Sequence, residues 1–377
     1  MPATIVAVMR GLAIAATSAI VLIMLSAPSA AAPRAPSPVP PSYVGREDVN
    51  AFIEEMARDF GFDERALRRF FSRVRYQGSV VDAMSRPVLA PLKWYEYAPR
   101  FVSSARIDAG VAFWRDHAAT LERAQREFGV PAEIVVAIIG VETFYGRNTG
   151  PYRVADTLTT LAFDYPRRGA YFRNELKQFL LLTREQGVSP LAPKGSYAGA
   201  QGLPQFMPGS VREYAIDYDG DGKVDLAGDV DDAIGSVANY LARHGWLPSG
   251  PVMEPATIDG MRLAEVDSAL DGGLSERRPM QTWQDEGVSG EGFPTNRRDA
   301  LQRAITVATP PSAAGIADVD LPAGESVGVL MLEEAAAPSY WIVFNNWYVL
   351  TRYNRSRLYA SAVWQLAQEL KLAFEQK

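Results

Sequence analysis

The strongest constraint in this chain is a nearly unbroken apolar run, residues 134–141, that ends at the carboxylate of Glu142. The run follows Gly129-Val130-Pro131, and proline is favoured at the first position of a helix because its missing N–H is not needed there. The sequence therefore predicts a buried helix that begins at Pro131 and carries Glu142 near its end. Phe144 and Tyr145 follow at once, so we expect the carboxylate to face a cleft walled by aromatic rings.

A carboxyl group in such a place has an altered acidity. Burial without a cationic partner disfavours the ionised form, so the pKa of Glu142 should rise and leave a proton to donate near neutral pH. Cleavage of a glycosidic bond requires a general acid of this kind. The alternative is a structural ion pair with an arginine across a domain seam, because ion pairs also perturb pKa values.

The composition of the chain excludes several kinds of chemistry. The 377 residues are 47% hydrophobic and 22% charged, as in a globular protein of two or three subdomains. Cysteine is absent, which rules out disulfides, thiolate metal sites and a cysteine nucleophile. The two histidines, His117 and His244, argue against histidine-rich metal sites and against a Ser-His-Asp hydrolase.

The N-terminus, residues 1–32, is typical of a secretory signal. Arg10 provides a positive charge, residues 11–25 form an apolar stretch too short for a comfortable membrane span, and small residues follow. An uncleaved membrane anchor is the alternative. No cysteine follows the apolar stretch, so we expect no lipoprotein. Residues 33–42 carry five prolines and predict an extended linker.

The charge of the chain argues against nucleic acid as a partner. The net charge is −6, and removal of the signal, whose one charged residue is Arg10, lowers it to −7. Nucleic-acid binding needs a basic face, and an acidic surface has no overall attraction for an anionic polymer. Binding of such a polymer would require a local groove.

Apolar residues recur at helical spacing along most of the chain. Predicted helices run from about Tyr43 to Phe60 with Gly61 as a stop, from Asp63 to Phe71, from Asp108 to Phe128, from Tyr171 to Glu185, from Asp231 to Arg243 and from Ser356 to about Phe374. Between Gly250 and Pro338 the chain is richer in Gly, Pro, Asp and Ser and holds short apolar segments such as residues 327–332. The predicted fold class is mainly α (α+β), with a small late β-containing subdomain.

A Gly-rich segment provides the second chemical signal. It runs from Gly195 to Pro208 and contains Ala-Gly-Ala-Gln-Gly-Leu-Pro-Gln-Phe-Met-Pro. Glycines let the backbone approach a bulky ligand closely, and Ser196 and Gln205 can form hydrogen bonds with sugar amide and hydroxyl groups. A plain surface loop is the alternative for this segment taken alone.

These segments together resemble the membrane-bound lytic murein transglycosylases of the B type, in glycoside hydrolase family 103. The resemblance runs from about Tyr43 to the C-terminus and includes Asp164-Tyr165-Pro166-Arg167-Arg168 and Val349-Leu350-Thr351-Arg352-Tyr353-Asn354. It implies a lysozyme-like helical core with an N-terminal helical subdomain. The expected divisions are a catalytic core over 43–250, a partly β subdomain over 251–338, and a C-terminal return to the core over 339–377.

The resemblance also implies roles for particular residues. Glu142 matches the single catalytic acid of the family. The matched substrate-binding residues are Ser196, which orients the N-acetyl group of N-acetylmuramic acid, Gln205, Tyr240 and Tyr97 in the cleft, Arg167 and Arg168 facing the peptide stem, and Asn346, Tyr348 and Tyr353, which close the cleft. Packing in the core is the alternative for each tyrosine, and surface ion pairing is the alternative for the two arginines.

The implied reaction differs from most glycoside hydrolysis, which uses two carboxylates. In the family, one glutamate protonates the leaving oxygen and then acts as base on the C6 hydroxyl of N-acetylmuramic acid, which attacks C1 and closes a 1,6-anhydro ring. No cofactor takes part in catalysis. A lysozyme-type hydrolase on the same scaffold would need a second carboxylate, for which Asp156 and Asp164 are nearest in the sequence.

An acidic segment predicts a calcium site. Residues 217–225 match the first nine positions of an EF-hand loop, with carboxylates at positions 1, 3, 5 and 9 and glycine at position 6. The pattern fails at position 12, which is Gly228. By resemblance the loop is longer, 217–232. Its ligands would be Asp217, Asp219, Asp221, the backbone carbonyl of Lys223, and Asp232. Such a calcium ion would be structural, and an acidic turn without metal is the alternative.

The leading hypothesis is therefore a lytic transglycosylase secreted to the periplasm and acting as a monomer on the glycan strands of peptidoglycan, alone or within a cell-wall synthesis or division complex. An uncleaved signal would anchor it to the membrane. A non-catalytic peptidoglycan-binding module is the alternative from another class. The presence of Glu142, Ser196 and Gln205 argues against it.

Overall fold

The computed structural model describes residues 42–86, 92–262, 266, 270, 277–290 and 326–376. The predicted signal, residues 1–32, lies outside the described residues, as does the predicted linker except for Ser42. Within the described part of the chain, no helix combines the length and apolar character that crossing a bilayer requires.

The molecule is mainly helical. The α-helices of the described residues are α1 (Glu47–Phe60), α2 (Glu64–Phe71), α3 (Gly78–Ser85), α4 (Trp94–Tyr97), α5 (Ser104–Asp116), α6 (Ala118–Phe128), α7 (Ala132–Thr143), α8 (Val154–Asp164), α9 (Gly169–Glu185), α10 (Pro208–Tyr214), α11 (Val230–Arg243), α12 (Met280–Asp285), α13 (Asn345–Tyr353) and α14 (Arg357–Glu375). A short 3-10 helix, Ala98–Arg100, follows α4.

The strands of the described residues form one two-stranded ribbon and one small sheet late in the chain. The ribbon pairs β1 (Tyr152–Arg153) with β2 (Lys194–Gly195). The sheet contains β3 (Met253–Ile258), β4 (Arg278–Pro279), β5 (Val288–Gly290), β6 (Ser326–Leu332) and β7 (Ser339–Val343). Its strand order is β4-β6-β7-β3-β5, and every neighbouring pair is antiparallel. The predicted mainly helical fold with a small late β region is confirmed.

Helix boundaries follow the local chemistry of the sequence. Gly61 ends α1 with φ at 67°, the left-handed conformation that glycine adopts at a helix end without steric penalty. The carboxylate of Asp63 accepts a hydrogen bond from the N–H of Ala66 and begins α2. The hydroxyl of Ser356 does the same for the N–H of Tyr359 at the start of α14. Side-chain caps therefore set the boundaries that the sequence predicted most closely.

Several predicted boundaries need correction. Helix α1 begins at Glu47, four residues after the predicted start, and α5 begins at Ser104, four residues before its predicted start. The predicted helix from Asp108 to Phe128 is two helices, α5 and α6, which meet at the non-helical His117. The break lets α5 pack against α7 and α14 while α6 packs against α11. Helical periodicity continues through both segments, so the pattern of apolar residues could not reveal the change of direction. Pro131 is the N-cap of α7, so the helix begins one residue later than predicted.

Three apolar cores hold these elements together. One joins α1, α2 and α3 to α8 and α9. The largest surrounds α7, in which all residues from Ile134 to Thr143 are buried, and includes α5, α6, α11, α13 and α14. The third lies against the late sheet around Trp283, whose side chain is 1% exposed. The central position of α7 places Glu142 at the junction of its packing partners.

The chain turns sharply after α7, and glycines make room for the turn. Tyr145 has a positive φ of 58°, and its ring enters a notch between α5 and α7. A methyl group on Gly110 would lie 2.2 Å from the Tyr145 hydroxyl oxygen, and one on Gly140 would lie 2.6 Å from the same atom. A real Cβ atom does not come so close to another heavy atom, so both positions need glycine for the ring to fit.

We therefore expect Gly140→Ala to destabilise the protein by about 1–3 kcal/mol, the range for overpacking a core. Helix propensity alone predicts the opposite sign, a gain of about 1 kcal/mol for alanine in a helix interior. Urea unfolding of both proteins would measure the difference. In a Tyr145→Ala background, the same Gly140 substitution should lose most of its penalty, because the ring that it strikes is gone. An equal loss of unfolding free energy in both backgrounds would contradict the packing of the Tyr145 ring against Gly140.

Candidate active site

Glu142 is the penultimate residue of α7 and is 6% exposed. One carboxylate oxygen, Oε1, accepts a hydrogen bond of 2.7 Å from the hydroxyl of Tyr359. Among the described residues, no lysine, arginine or histidine nitrogen lies within 4.0 Å of the Glu142 carboxylate. The structural ion pair that the sequence left open is therefore absent from the described part of the chain.

The surroundings of Glu142 set its acidity. Burial raises its pKa from 4.5 to about 7, and the Tyr359 hydrogen bond opposes this rise in part. Burial also holds the pKa of Tyr359 well above its usual range, so the phenol keeps its proton and stays a donor. A carboxyl group with a pKa near neutrality exists in both protonation states at neutral pH, as a group that acts first as acid and then as base requires.

The turn after Glu142 ties α7 to the Gly-rich loop. The hydroxyl of Thr143 donates to the carbonyl of Leu203 at 3.0 Å and accepts from the N–H of Gly146 at 3.0 Å. Phe144 and Tyr145 both have positive φ angles, 52° and 58°. Non-glycine residues rarely adopt this conformation, so the turn stores strain directly beside the carboxylate. The end of α7 is held from both sides.

The Gly-rich loop folds tightly on itself around Ser196. The Ser196 hydroxyl oxygen accepts hydrogen bonds from the N–H groups of Ala198 and Ala200 at 3.2 and 3.0 Å. A Cβ on Gly195 would lie 2.1 Å from the Ala200 carbonyl oxygen, so the loop needs glycine there. The Ser196 oxygen thus orients the loop, and its proton is available to donate.

Gln205 is the strained residue of this loop, with φ at 53°. Its side-chain amide nitrogen donates to the carbonyls of Thr149 and Gly202 at 3.1 and 2.9 Å. These two bonds fix the amide plane and leave the amide oxygen to accept a hydrogen bond from a ligand. Because Gln205 also lines the cavity beside Glu142, the strain falls at a residue that faces ligand space.

A cavity of about 100 Å³ opens beside Glu142. Its lining residues are Glu142, Tyr171, Ala198, Ala200, Gln205, Phe206, Met207, Ser210, Tyr240, Arg352, Tyr353 and Asn354. They come from α7, α9, the Gly-rich loop, α10, α11 and the end of α13. The structure therefore brings together Glu142, Gln205, Tyr240 and Tyr353, four of the residues selected from the sequence.

Aromatic side chains form the wall of this cavity. The Tyr240 hydroxyl donates to the carbonyl of Arg352 at 2.8 Å, and the Tyr353 hydroxyl donates to the carbonyl of Pro204 at 2.6 Å. The rings of Tyr240 and Tyr353 lie 5.0 Å apart, and Tyr353 lies parallel to Tyr359 at 6.4 Å. The two hydroxyl groups link α13 to α11 and to the Gly-rich loop, so they fix the positions of the rings that form the wall.

The other predicted binding residues lie outside this lining. Tyr97 is buried, and its pKa is raised by burial and by the nearby charge of Glu142. Arg168 holds its guanidinium 4.4 Å from the ring centre of Tyr171, a lining residue, whereas Arg167 is exposed. Ser196, another predicted binding residue, accepts hydrogen bonds from the N–H groups of Ala198 and Ala200, which line the cavity.

The two predicted residues at the start of α13 have structural partners. The side chain of Asn346 accepts from the N–H of Leu247 and donates to the carbonyls of Leu247 and Gly250, at 2.8–2.9 Å. Tyr348 is 6% exposed, and the guanidinium of Arg277 lies 3.7 Å from its ring centre. Both residues thus brace the junction between α13 and neighbouring segments.

The nearest carboxylates in the sequence are occupied elsewhere. Asp156 contacts Arg153 at 2.6 Å and accepts the N–H of Arg75 at 2.9 Å. Asp164 contacts Arg46 at 2.7 Å. Neither lines the cavity, in whose described lining Glu142 is the one carboxylate. The second carboxylate that a two-carboxylate hydrolase needs is therefore missing from that lining.

Sequence reasoning missed Tyr359, the direct partner of Glu142. The two residues are 217 positions apart, so no local pattern connects them. The available signal was weak: a tyrosine in the first turn of a helix whose N-cap is Ser356. Tyr171, Arg352 and Asn354 were likewise not selected, although Arg352 and Asn354 belong to a motif that supported the resemblance.

The acidic loop presents three carboxylates to one another. Oxygen atoms of Asp217, Asp219 and Asp221 all lie within 4.8 Å, and the side chains are exposed. Asp217 accepts the N–H groups of Gly220 and Gly222, each at 2.8 Å. Three clustered carboxylates repel one another unless a cation lies between them, and oxygen donors are the ligands that calcium prefers. The donor set fits calcium.

The remaining predicted ligands surround this loop. Asp232 is 1% exposed and accepts the N–H groups of Tyr218 and Asp225 at 2.6 and 2.7 Å, which closes the loop onto α11. Lys223 donates its N–H to the carboxylate of Asp221 at 2.8 Å. Among the described residues, the clustered carboxylates are thus Asp217, Asp219 and Asp221, and Asp232 holds the end of the loop against α11 through its hydrogen bonds.

The raised pKa of Glu142 predicts a pH-dependent stability. The unfolded chain ionises this group near its ordinary pKa of 4.5, whereas the folded protein resists ionisation up to about 7, so the free energy of unfolding falls as pH rises through this interval. Above it, the loss attributable to Glu142 is about 3 kcal/mol. Glu142→Gln does not titrate, so its stability relative to the wild type should rise by that amount between about pH 4 and about pH 8.

Urea unfolding of both proteins at several pH values measures this difference, and titration of all other groups cancels in the comparison. A difference between the two proteins that does not change with pH would mean that the carboxyl group of Glu142 has an ordinary pKa.

Comparisons with known proteins agree with this site. Residues 45–368 match the family described as the transglycosylase SLT domain. The membrane-bound lytic murein transglycosylase B of Escherichia coli strain K12 is 36% identical over 340 residues, which cover 88% of this chain and 84% of the relative. The family match, residues 45–368, includes the whole segment from α1 to the middle of α14, and therefore every described residue of the cavity lining.

Solved structures extend the comparison. Catenated lytic transglycosylase SltB1 from Pseudomonas aeruginosa has a TM-score of 0.78 at 44% identity, covering 88% of this chain and 99% of its own. The Escherichia coli lytic transglycosylase Slt35 in complex with calcium has a TM-score of 0.74 at 35% identity, covering 89% and 96%. SltB3 from Pseudomonas aeruginosa, in complex with NAG-NAM-pentapeptide, has a TM-score of 0.68 at 30% identity, covering 85% and 78%.

The match to the family spans most of the chain, the curated relative is named a lytic murein transglycosylase, and solved structures that share the fold include lytic transglycosylases. The cavity adds the buried glutamate that such chemistry needs. The chain belongs to the transglycosylase SLT-domain family and is a lytic transglycosylase that acts on peptidoglycan.

Proposed function

We propose that the enzyme cleaves the β-1,4 bond between N-acetylmuramic acid and N-acetylglucosamine without water and leaves a 1,6-anhydro end. The observation that carries this proposal is the isolation of Glu142. It is buried, its pKa is about 7, and it is the one carboxylate of the described cavity lining. A single group in such a place can donate a proton and later accept one, but it leaves no second carboxylate to activate water.

The reaction then proceeds in two proton transfers through Glu142. The protonated carboxyl group gives its proton to the glycosidic oxygen as the bond to C1 of N-acetylmuramic acid breaks. The resulting carboxylate is stabilised by the Tyr359 hydroxyl at 2.7 Å. It next accepts the proton of the C6 hydroxyl, whose oxygen attacks C1 and closes the anhydro ring. The carboxyl group is regenerated, and no water is consumed.

The residues around Glu142 would orient the sugar. The free oxygen of the Gln205 amide can accept a hydrogen bond from the substrate, and the Ser196 hydroxyl can donate one to the N-acetyl group. The rings of Tyr240 and Tyr353 offer an aromatic wall, with Tyr97 behind it. Such groups hold the N-acetyl oxygen near C1, where it can stabilise the developing positive charge.

The peptide stem would lie on the α9 side of the cavity. Arg168 is held against Tyr171 and could meet a stem carboxylate, and the exposed Arg167 could meet another. Asn346 and Tyr348 would support the opposite wall through α13. The relative SltB3 was solved with a NAG-NAM-pentapeptide, which supports peptidoglycan strands as the partner of this fold. A periplasmic location accords with the predicted signal.

Calcium would stabilise the acidic loop. Asp217, Asp219 and Asp221 would supply carboxylate oxygens and Lys223 a backbone carbonyl. Asp232, the fifth proposed ligand, lies outside this cluster and would bind through a lone pair that its hydrogen bonds from Tyr218 and Asp225 leave free. The support is the mutual approach of the three carboxylates and the calcium complex of the relative Slt35. Calcium supplies charge neutralisation there and takes no part in proton transfer.

Product analysis tests the reaction directly. We expect the wild-type enzyme to release muropeptides with 1,6-anhydro ends from isolated sacculi, and Glu142→Gln to lower the rate by about a thousandfold, the usual contribution of a general acid. Mass spectrometry of the soluble products distinguishes the outcomes. Reducing-end products heavier by one water would establish a hydrolase instead, and a Glu142→Gln enzyme with near wild-type turnover would exclude Glu142 as the acid. Far-ultraviolet circular dichroism checks that the variant is folded.

Chelation tests the metal site. We expect saturating calcium to stabilise the enzyme by about 2.7 kcal/mol at one hundred times the dissociation constant, because the folded loop binds the ion and the unfolded chain does not. Differential scanning calorimetry with calcium and with chelator measures the effect. Asp217→Ala should abolish it, whereas Asp63→Ala, which removes an exposed cap of α2, should not. A melting temperature indifferent to calcium in the wild type would leave the loop as an acidic turn.

A further inference from the structure

A second groove of about 590 Å³ adjoins the catalytic cavity, and Ser210 and Tyr240 line both spaces. The rest of its lining is mostly polar and includes Asn174, Glu175 and Gln178 on α9. Its volume lies within the range of ligand sites in proteins. The proton transfers at Glu142 use none of the α9 residues, so the groove is available for another part of the substrate.

Glu175 is the unusual residue of this groove, because its side chain is buried with only 7% of the residue exposed. Its carboxylate accepts the N–H of Gly209 at 2.9 Å. No lysine or arginine nitrogen of the described residues lies within 4.0 Å of it. Burial raises the pKa of Glu175, and the Gly209 N–H and the more distant charge of Arg168 oppose the rise. A buried carboxyl group without a contacting cation resists ionisation, and a cationic ligand that enters the groove would favour its charged form.

The other charged groups in the described lining of the groove do not supply that cation. Arg212 forms two hydrogen bonds with Glu185, at 2.9 and 2.7 Å, so its charge is already matched. Glu213 adds a second negative charge to the lining. Burial lowers the pKa of His244, which keeps this ring neutral at neutral pH. The groove is therefore an acidic space that opens beside the catalytic cavity.

We infer that this groove binds the side-chain ammonium group of the diamino acid in the peptide stem, with Glu175 as its main partner and Glu213 as the second. The inference rests on the proposed function, since it requires a glycan strand in the adjoining cavity. A sugar hydroxyl could donate a hydrogen bond to Glu175 but would leave its negative charge uncompensated. An ammonium group supplies both the hydrogen bond and the compensating positive charge. The amine is free only in stems that are not cross-linked through it, so the groove selects such stems.

Activity on two forms of one substrate tests the selection. Glycan strands with free stem amines and the same strands after N-acetylation differ at this group alone, which loses its positive charge and gains an acetyl group. We expect kcat/KM of the wild type to be about tenfold higher for the free amine, as for loss of one hydrogen bond between charged groups. In Glu175→Gln the ratio should fall to about one, because the amide still accepts the Gly209 N–H but carries no charge. Glu213→Gln should lower the ratio in part.

Glu64→Gln, which removes an exposed carboxylate from α2, is the matched control and should keep the wild-type ratio. A wild-type enzyme that does not distinguish the two substrates would overturn the inference. So would a Glu175→Gln enzyme that keeps the full preference for the free amine, or one that loses activity equally on both substrates while its preference persists.

Binding separates this inference from the chemistry at Glu142. Calorimetric titration of Glu142→Gln with free-amine and acetylated strands measures recognition without turnover. We expect about tenfold weaker binding of the acetylated strands, and no such difference in Glu142→Gln/Glu175→Gln. Equal affinities in the single variant would refute the ammonium site even if anhydro products are formed. A clear difference would support the site even if the wild type proved to be a hydrolase.

Discussion

The structure depends on the burial of one carboxyl group, Glu142, against one phenol, Tyr359. Their hydrogen bond joins α7 to the first turn of α14, and the apolar packing of these two helices removes water from both groups. Desolvation raises the pKa of the Glu142 carboxyl group, and the Tyr359 phenol partly offsets this rise by donating a hydrogen bond to the ionised form. Burial also raises the pKa of the phenol, so it keeps its proton. The acidity of the site is therefore a property of helix packing, and any change in how α7 and α14 meet would alter it.

Strain and close backbone approach are concentrated around this carboxyl group. Phe144, Tyr145 and Gln205 all adopt positive φ angles, and each lies in the turn after α7 or in the loop opposite it. Thr143 connects the two segments through the carbonyl of Leu203. Strained backbone persists only where its surroundings over-determine it, and here those surroundings are the packed helices. The packing of the core thus offsets the backbone strain of the residues that position Glu142 and line the cavity beside it.

The acidic loop and the cavity are connected through α11. The loop begins at Asp217 and is closed by Asp232 in the first turn of α11, and the same helix carries Tyr240 into the cavity about two turns later. A cation held by the loop would therefore stabilise the start of a helix whose later residues line the site. The same helix also presents Tyr240 to the second groove, so α11 contributes to the lining of both spaces.

The sequence by itself determined the helical class, the late β region, the ends of several long helices and the catalytic candidate, because apolar periodicity, capping residues and a carboxylate after an apolar run are local signals. It did not indicate α3, α4, α8, α10, α12 or α13, most of which are short. It could not locate the break at His117, since periodicity continues on both sides, nor Tyr359, since the contact joins residues 217 positions apart. Tertiary structure alone decided which carboxylates share a space. It engaged Asp156 and Asp164 with arginines, and among the described residues it left Glu142 and Glu175 buried without an arginine partner, because burial and pairing depend on which helix faces meet.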